Sequence, residues 1–330
     1  MGTATIRRRA GGALAVLALV IAGATACGGT ADESDPVADG KGAEAVTSGV
    51  TSRPAQLVVD VADAAGLPKR FRTSAEKPGA PRGDGKLPDL TGLDGLRAAG
   101  SAAPSAQGLV AVAHRLPGRT VDVDLRQETH LFVNGMGVSW FGRDNNANLD
   151  LGHAAVLTAE DKAKALLAHE SSITFADIPK KSVRQDGPVR DPKRVQSEEE
   201  TARAAGLGYL RLTVPDHHRP QDEEVDRFVA FVRKQSPDTW LYFHCRGGKG
   251  RTTTFMAMYD MMRNAQRVGY EDILRRQQLL GGTDLLGADD TEGGQALARK
   301  EFLRSFHAYA RTNTDGFATP YSTWVAHGGA

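Results

Sequence analysis

A short apolar run, Trp240-Leu241-Tyr242-Phe243, passes directly into His244-Cys245-Arg246-Gly247-Gly248-Lys249-Gly250-Arg251-Thr252. A segment dense in Met and aromatic residues follows, to about Gln266. A continuous apolar run of that length predicts a strand buried on both faces. The stretch after Thr252 predicts a helix, and the three glycines between lack the Cβ that would crowd a bound group or forbid positive φ. A strand, a glycine turn and a helix N-terminus in succession aim backbone N–H groups at one spot, which suits an anion. A strand buried on both faces must be covered by two layers, so this feature already commits the chain to an α/β architecture.

The rest of the chain agrees in outline. Val121, Val123 and Leu125 alternate with Asp122 and Asp124, the pattern of a half-buried strand. Ser197 with Glu200 three residues on predicts a capped helix start, and Gly206 its stop. Tyr209–Val214 reads as a strand, and after Pro220 the residues Val225, Phe228, Val229 and Val232 form one helical stripe. A last amphipathic helix covers Leu297, Phe302, Leu303, Phe306 and Tyr309. The stretch from about Gly79 to Gln107, rich in Gly, Pro and Ala, reads as loose chain. Strands alternating with helices predict a central sheet with helices on both faces.

Composition sets outer limits. The 330 residues can bury one large core or two modest ones, and the net charge of +1 gives no global field toward nucleic acid or an anionic membrane. The two cysteines, Cys27 and Cys245, make no disulfide framework. Near the N-terminus Arg7-Arg8-Arg9 precede an apolar run, Ala10–Ala22, too short to span a bilayer as a helix. Ala24-Thr25-Ala26-Cys27-Gly28-Gly29 follows, and the whole resembles a bacterial lipoprotein signal. That resemblance implies a signal peptide over residues 1–26 and lipid on Cys27. The protein is then expected to be exported and held at the outer face of the cytoplasmic membrane, or secreted, with Cys27 its only link to the membrane. From residue 28 to about 56 hardly a large apolar residue occurs, so residues 27–56 are expected to be a disordered tether and 57–330 the folded domain.

The loop residues carry chemistry. A cysteine near a helix N-terminus and an arginine favours the reactive thiolate. Arg251 can hold two oxygens of a phosphate in its planar fork, and Thr252 can donate a hydrogen bond to the sulfur of Cys245. Arg246 and Lys249 add charge for a substrate bearing several phosphates. A nucleotide loop is excluded, because Gly250 and Arg251 separate Lys249 from Thr252. Pro215-Asp216-His217-His218-Arg219-Pro220 follows a strand and precedes a helix, and its two prolines shape a loop that presents Asp216 as a proton donor. Among the remaining histidines, His114, His153 and His169 show no ligand spacing, so neither metal nor cofactor is expected.

His244 to Thr252 resembles the signature loop of cysteine-dependent tyrosine phosphatases, and the chain as a whole resembles the bacterial tyrosine-phosphatase-like inositol phosphatases, or cysteine phytases. Leu67-Pro68-Lys69-Arg70-Phe71-Arg72-Thr73 is similar to the family's early P-x-x-F-R motif. Asp124-Leu125-Arg126-Gln127-Glu128-Thr129-His130 with Val133-Asn134-Gly135 is similar to its D-L-R-x-E-x-H…N-G motif. Val138-Ser139-Trp140, Asp144 and Asn148-Leu149 echo the next block, although Asn145-Asn146 stand where an aromatic is more usual. The pieces span roughly residues 65 to 325. The resemblance implies a tyrosine-phosphatase-like α/β fold with a small β-rich subdomain. It implies Cys245 as nucleophile, Arg251 as clamp, Asp216 as acid and Thr252 as support for the leaving sulfur. Substrate would meet Arg246, Gly247, Gly248, Lys249, Gly250 and His217, and also Arg72, Asp144 and Lys300. Arg276-Gln277 resembles a family pair that offers Gln277 to position the hydrolytic water. Inositol polyphosphate is the expected substrate. Phosphotyrosine, phosphoinositide lipid and anion binding without turnover stay open on the residues alone.

Overall fold

The buried run before the glycines is the middle of a sheet. Numbered in chain order, its strands are β2 (Arg72–Thr73), β3 (Ala98–Ala102), β4 (Thr120–Asp124), β10 (Gly208–Arg211) and β11 (Trp240–Cys245), in the spatial order β10–β4–β11–β3–β2. β10, β4, β11 and β3 run parallel, and β2 closes the edge antiparallel to β3. Side chains alternate across β11. Leu241, Phe243 and Cys245 share a core with Val121 and Val123, whereas Trp240 and Tyr242 enter a second core on the opposite face. The first core is covered by α4 (Asp222–Val232), α5 (Gly250–Asn264), α6 (Tyr270–Leu279), α7 (Gln295–Thr312) and α8 (Tyr321–Ala326). The second is covered by α1 (Ala106–Arg115) and α3 (Glu198–Ala204).

A second sheet is antiparallel, in the order β1–β6–β5–β9, from β1 (Ala55–Val61), β5 (His130–Val133), β6 (Met136–Gly142) and β9 (Val195–Gln196). Asn134-Gly135 joins β5 to β6, both with positive φ (49° and 89°), the backbone a two-residue hairpin needs. This is the small β-rich part, and α2 (His153–Ala168) packs Ala163 and Leu167 into its core. A short hairpin pairs β7 (Ser172–Ile173) with β8 (Val189–Arg190). The computed structural model describes residues 49–81, 85–287 and 294–329, together with Gly2. Every element named here lies within Gly40–Ala330. Among the described residues no helix is long and apolar enough to cross a membrane.

The structure corrects several sequence expectations. β4 is not half-buried: Asp122 and Asp124 are fully buried, facing a polar layer rather than water. The supposed loose stretch after Gly79 contains β3 and the core residues Leu93 and Leu96. Its small residues answer to close packing, since a Cβ on Gly100 would lie 2.5 Å from Met256 Sδ and 2.8 Å from Thr252 Cγ2. Ser197 and Glu200 form the expected capping box, but β10 ends at Arg211 rather than Val214. Leu297 is exposed, off the apolar stripe of α7. Residues 49–56, expected in the tether, are ordered, with Val50 buried and Ala55 opening β1. The signal peptide, Cys27 and the tether to residue 48 lie outside the described residues, Gly2 apart.

Candidate active site

β11 delivers Cys245 to the sheet's end, and α5 begins at Gly250, so the glycine turn lies where the sequence puts it. Donors from elsewhere take up the turn's carbonyls. The amide of Ala103 donates to Arg246 O (3.2 Å), Arg70 Nη1 to Gly247 O (3.1 Å) and Arg72 Nη1 to Gly248 O (3.0 Å). Thr253 Oγ1 donates to Lys249 O at 2.8 Å. With its carbonyls held from outside, the turn keeps its N–H groups for an anion. Gly248 has φ 67°, and a Cβ there would come within 2.4 Å of Ala102 N, so only glycine lets the turn lie against β3.

Cys245 is 3% exposed and accepts a hydrogen bond from Thr252 Oγ1 at 3.2 Å, a hydroxyl also 3.3 Å from Ser101 O. Burial pushes its pKa up, and the Asp216 carboxylate does so too. The Arg251 charge and hydrogen bonds from Thr252 outweigh them, leaving the thiol more acidic than usual. Arg251 is fully buried and gripped at both nitrogens by Glu128 (Nη1–Oε2 2.7 Å, Nη2–Oε1 3.0 Å). Its Nη1 also donates to Val214 O at 3.0 Å, and its Nη2 lies 3.2 Å from Asp216 Oδ1. Burial disfavours its charge, but Asp216 and Glu128 hold it firmly protonated. Arg251 is thus a fixed fork pointing between the turn and the acid loop.

Asp216 is brought over that turn. Its Oδ1 accepts from the His217 amide at 3.0 Å, and its Oδ2 accepts from Asn145 Nδ2 at 2.8 Å. Arg299 of α7 closes the loop from the far side, donating to His217 O and, at 3.3 Å, to His218 O. Arg299 Nη1 would lie 2.9 Å from a Cβ on Gly250, so it sits between the acid loop and the start of α5.

A chain of alternating charges runs behind the site. From Arg251 it passes to Glu128, then to Arg126 (Nε–Oε1 3.1 Å), to Asp60 of β1 (2.6 Å), and to Arg246 (2.7 Å). Ser139 Oγ also donates to Asp60, at 2.9 Å. The chain therefore links one end of the turn to the other by way of the small sheet. Beneath β11 lies a second polar group. His244 Nε2 is 3.1 Å from Asp122 Oδ1 and 3.0 Å from Glu198 Oε1; His130 Nε2 is 2.8 Å from Glu198 Oε2 and 3.0 Å from Asp124 Oδ2. These residues assemble metal-type ligands that sequence spacing does not reveal. Arg211 pairs with Asp124 at 2.9 Å, and both histidines are pushed toward their protonated forms by these carboxylates against the effect of burial. The carboxylates pair with Arg211 and the two histidines, while both oxygens of Asp122, Glu198 Oε1 and both ring nitrogens of His244 are buried without a hydrogen-bond partner among the described residues.

Cys245, Arg251, Thr252 and Asp216 thus converge, with Gly247, Gly248, Lys249 and Gly250 forming the turn. Lys249 and His217 are exposed at its rim. The structure places other expected contacts differently. Arg246 is turned away to Asp60, to Lys181 O and over the Phe141 ring. Arg72 is 2% exposed, bracing Gly248 and Thr253 from below; burial lowers its pKa to about 10, so it stays charged. Asp144 is largely exposed beside Arg143, and its neighbour Asn145 enters the site instead. On α7 it is Arg299 that reaches the loops. Lys300 has its carbonyl bonded to Tyr270, whose ring lies under Arg304, one turn along the same face. Gln277 donates to Asp260 in the core at 2.9 Å rather than standing over Cys245. Sequence reasoning missed Asn145, Arg299 and Asp60, and quoted Arg126 and Glu128 without a role. The run Asp124-x-Arg126-x-Glu128-x-His130 was the available signal, because four ionisable residues crowded at the end of an apolar strand must find partners when buried.

Parallel sheet, glycine turn, acidic thiol, arginine fork and carboxylate lid together define a phosphatase of the cysteine-dependent class. Comparison with known proteins narrows this. The PTP-like phytase family model, described by inositol hexakisphosphate, matches residues 123–263. A PTP-like phytase structure from Bdellovibrio bacteriovorus is 32% identical with a TM-score of 0.65, covering 84% of this chain and 96% of that one. The PTP-like myo-inositol phosphatase of Mitsuokella multacida, solved with myo-inositol-(1,3,4,5)-tetrakisphosphate, gives a TM-score of 0.76 at 33% identity, covering 82% of this chain and 47% of that one. The effector protein hopD2 of Pseudomonas syringae pv. tomato is 32% identical over 258 residues, 73% of this chain and 54% of hopD2. The chain belongs to the PTP-like phytase family. It spans about half the length of hopD2 and of the Mitsuokella chain.

Proposed function

We propose that the protein hydrolyses phosphate monoesters of inositol polyphosphates through a phosphocysteine. The observation that carries this is a buried, acidified thiol that accepts from Thr252 and lies with Arg251 and Asp216 at one glycine turn. In the first step Cys245 Sγ bonds to phosphorus as the ester P–O bond breaks, and the departing oxygen takes the proton of Asp216. In the second, water bonds to phosphorus while Asp216 takes its proton, and the thiolate leaves, stabilised by Thr252 and Arg251. Arg251 and the turn amides hold the equatorial oxygens throughout. Exposed Lys249 and His217, with Arg70 bonded to the turn at Gly247, offer cations for phosphates beyond the one being cleaved. The inositol phosphate in the Mitsuokella relative supports that substrate class. Phosphate release from inositol hexakisphosphate, a phosphotyrosine peptide and a phosphoinositide, measured side by side, tests it. Turnover should be fastest on the first and absent in Cys245→Ser. Brisk phosphotyrosine hydrolysis with none of the inositol phosphate would overturn the substrate, and an active Cys245→Ser the mechanism.

We also propose that the chain is exported and held at the membrane by lipid on Cys27, a reading supported by the sequence before Gly28. Cys27→Ala should lose incorporated lipid label and leave the membrane fraction. A wild-type protein without label would sink the anchor.

A further inference from the structure

We propose that Asn145 is a positioning residue for the general acid, its amide holding the Asp216 carboxylate in working orientation over the phosphate turn. This rests on the reading of Asp216 as proton donor. Asn145 is 4% exposed, and its Nδ2 donates to two carboxylates, Asp216 Oδ2 at 2.8 Å and Glu128 Oε1 at 3.0 Å. Glu128, held ionised by Arg251 and Arg126, accepts only, so the amide nitrogen must face it, and the same nitrogen reaches Asp216 Oδ2. One side chain therefore ties the proton donor to the carboxylate that grips Arg251.

The local backbone is shaped for this. A 3-10 turn over Arg143–Asn145 carries two successive left-handed residues, Asp144 (φ 54°) and Asn145 (φ 59°). Asn and Asp tolerate that region better than other side-chain-bearing residues. The result turns Asn145 inward while Asp144 stays in solvent. The other oxygen of Asp216, Oδ1, accepts from the His217 amide at 3.0 Å and lies 3.2 Å from Arg251 Nη2. A bound phosphate engages the same guanidinium, and the Arg251–Asp216 contact then competes with substrate. The Asn145 bond does not touch the phosphate and remains. A neutral donor suits this, since a carboxylate at position 145 would stand beside Glu128 and Asp216 and raise their hold on protons.

Glycine at 145 keeps the left-handed backbone and removes only the amide. Asn145→Gly should lower kcat/KM by roughly 10- to 100-fold for inositol hexakisphosphate and an alkyl phosphate, a part of what a general acid contributes. For p-nitrophenyl phosphate, whose leaving group hardly needs a proton, the loss should stay within about threefold. Combined with Asp216→Asn, it should cost no more than Asp216→Asn alone. Asn145→Asp should shift the alkaline limb of the pH–rate profile upward, because Asp216 would keep its proton longer. A loss from Asn145→Gly equal for all leaving groups, or one that multiplies with Asp216→Asn, overturns the proposal. If Asp216→Asn shows leaving-group dependence and Asn145→Gly does not, Asn145 alone is misassigned. If Asp216→Asn shows none, the acid itself lies elsewhere and both readings fall.

Discussion

A guanidinium buried as deeply as Arg251 is useful only if something fixes its plane, and Glu128 does so from behind with two hydrogen bonds. Glu128 also receives Arg126 and Asn145, so three donors meet on one carboxylate, which holds it ionised well below the usual carboxylate range despite its burial. Glu128→Gln should destabilise the fold by roughly 3–5 kcal/mol, the cost of leaving buried charges without their partner. It should also lower kcat/KM by a similar factor for p-nitrophenyl phosphate and for alkyl phosphates, since the clamp acts on phosphate whatever the leaving group. Urea midpoints and kinetics on the two substrates check this. At this scale the convergence of Cys245, Arg251, Thr252 and Asp216 was legible, because it depends on near neighbours in sequence and on a loop shaped by two prolines. Arg246 was misread for the opposite reason. Its charge sits in the turn, but its partner Asp60 lies 186 residues earlier.

Elements were legible where burial is periodic and illegible where packing is tight. The stripe on α4 and the capping box of α3 announced themselves, and Val225, Phe228, Val229 and Val232 are all buried. β3 did not, since Ala98-Ala99-Gly100-Ser101-Ala102 has the composition of a linker. Only the approach of α5, with Met256 and Thr252 against Gly100, explains why a central strand is built from small residues. Ser101 is part of the same economy of space, its hydroxyl paired at 2.5 Å with Tyr242 beneath the turn. The Val-Asp-Val-Asp pattern of β4 shows the complementary error. Alternation reports that two faces differ, not that one of them meets water.

At the scale of the whole molecule, that second face is a buried ionic layer joining β4, β5, β10, β11, α2 and α3. Burial, Arg126 and Arg211 disfavour a charge on His130, but Asp124 and Glu160 prevail and raise its pKa from 6.5 to about 9. Its contribution to stability is then complete below about pH 6.5 and lost as pH rises through about 9. Asp122, pushed up from 3.8 to about 7 chiefly by burial, likewise loses its contribution as pH rises through that range. Glu198 is disfavoured by burial but brought from 4.5 to about 2 by His244 and His130, so its share is present above 4.5 and fades as pH falls toward 2. Cys245, made more acidic by folding, opposes the alkaline loss, one group against His130 and His244. Thermal midpoints measured from pH 4 to 9.5 should peak in mild acid and decline toward about pH 9. A flat profile above pH 6.5 would mean the histidines are not protonated in the fold.

The sequence by itself determined the strand–turn–helix that makes the site, the placing of Cys245 and Arg251 within it, and the loop that carries Asp216, because each is set by residues within one loop's reach. The tertiary structure alone decided what surrounds them. It brought Glu128, Asp60, Asn145 and Arg299 to the turn and sent Arg246 away from it. It also buried Asp122 and Asp124 where periodicity put water. Those outcomes depend on which distant charges the packed sheets place within hydrogen-bonding distance, and a buried charge must find its partner wherever in the chain that partner lies.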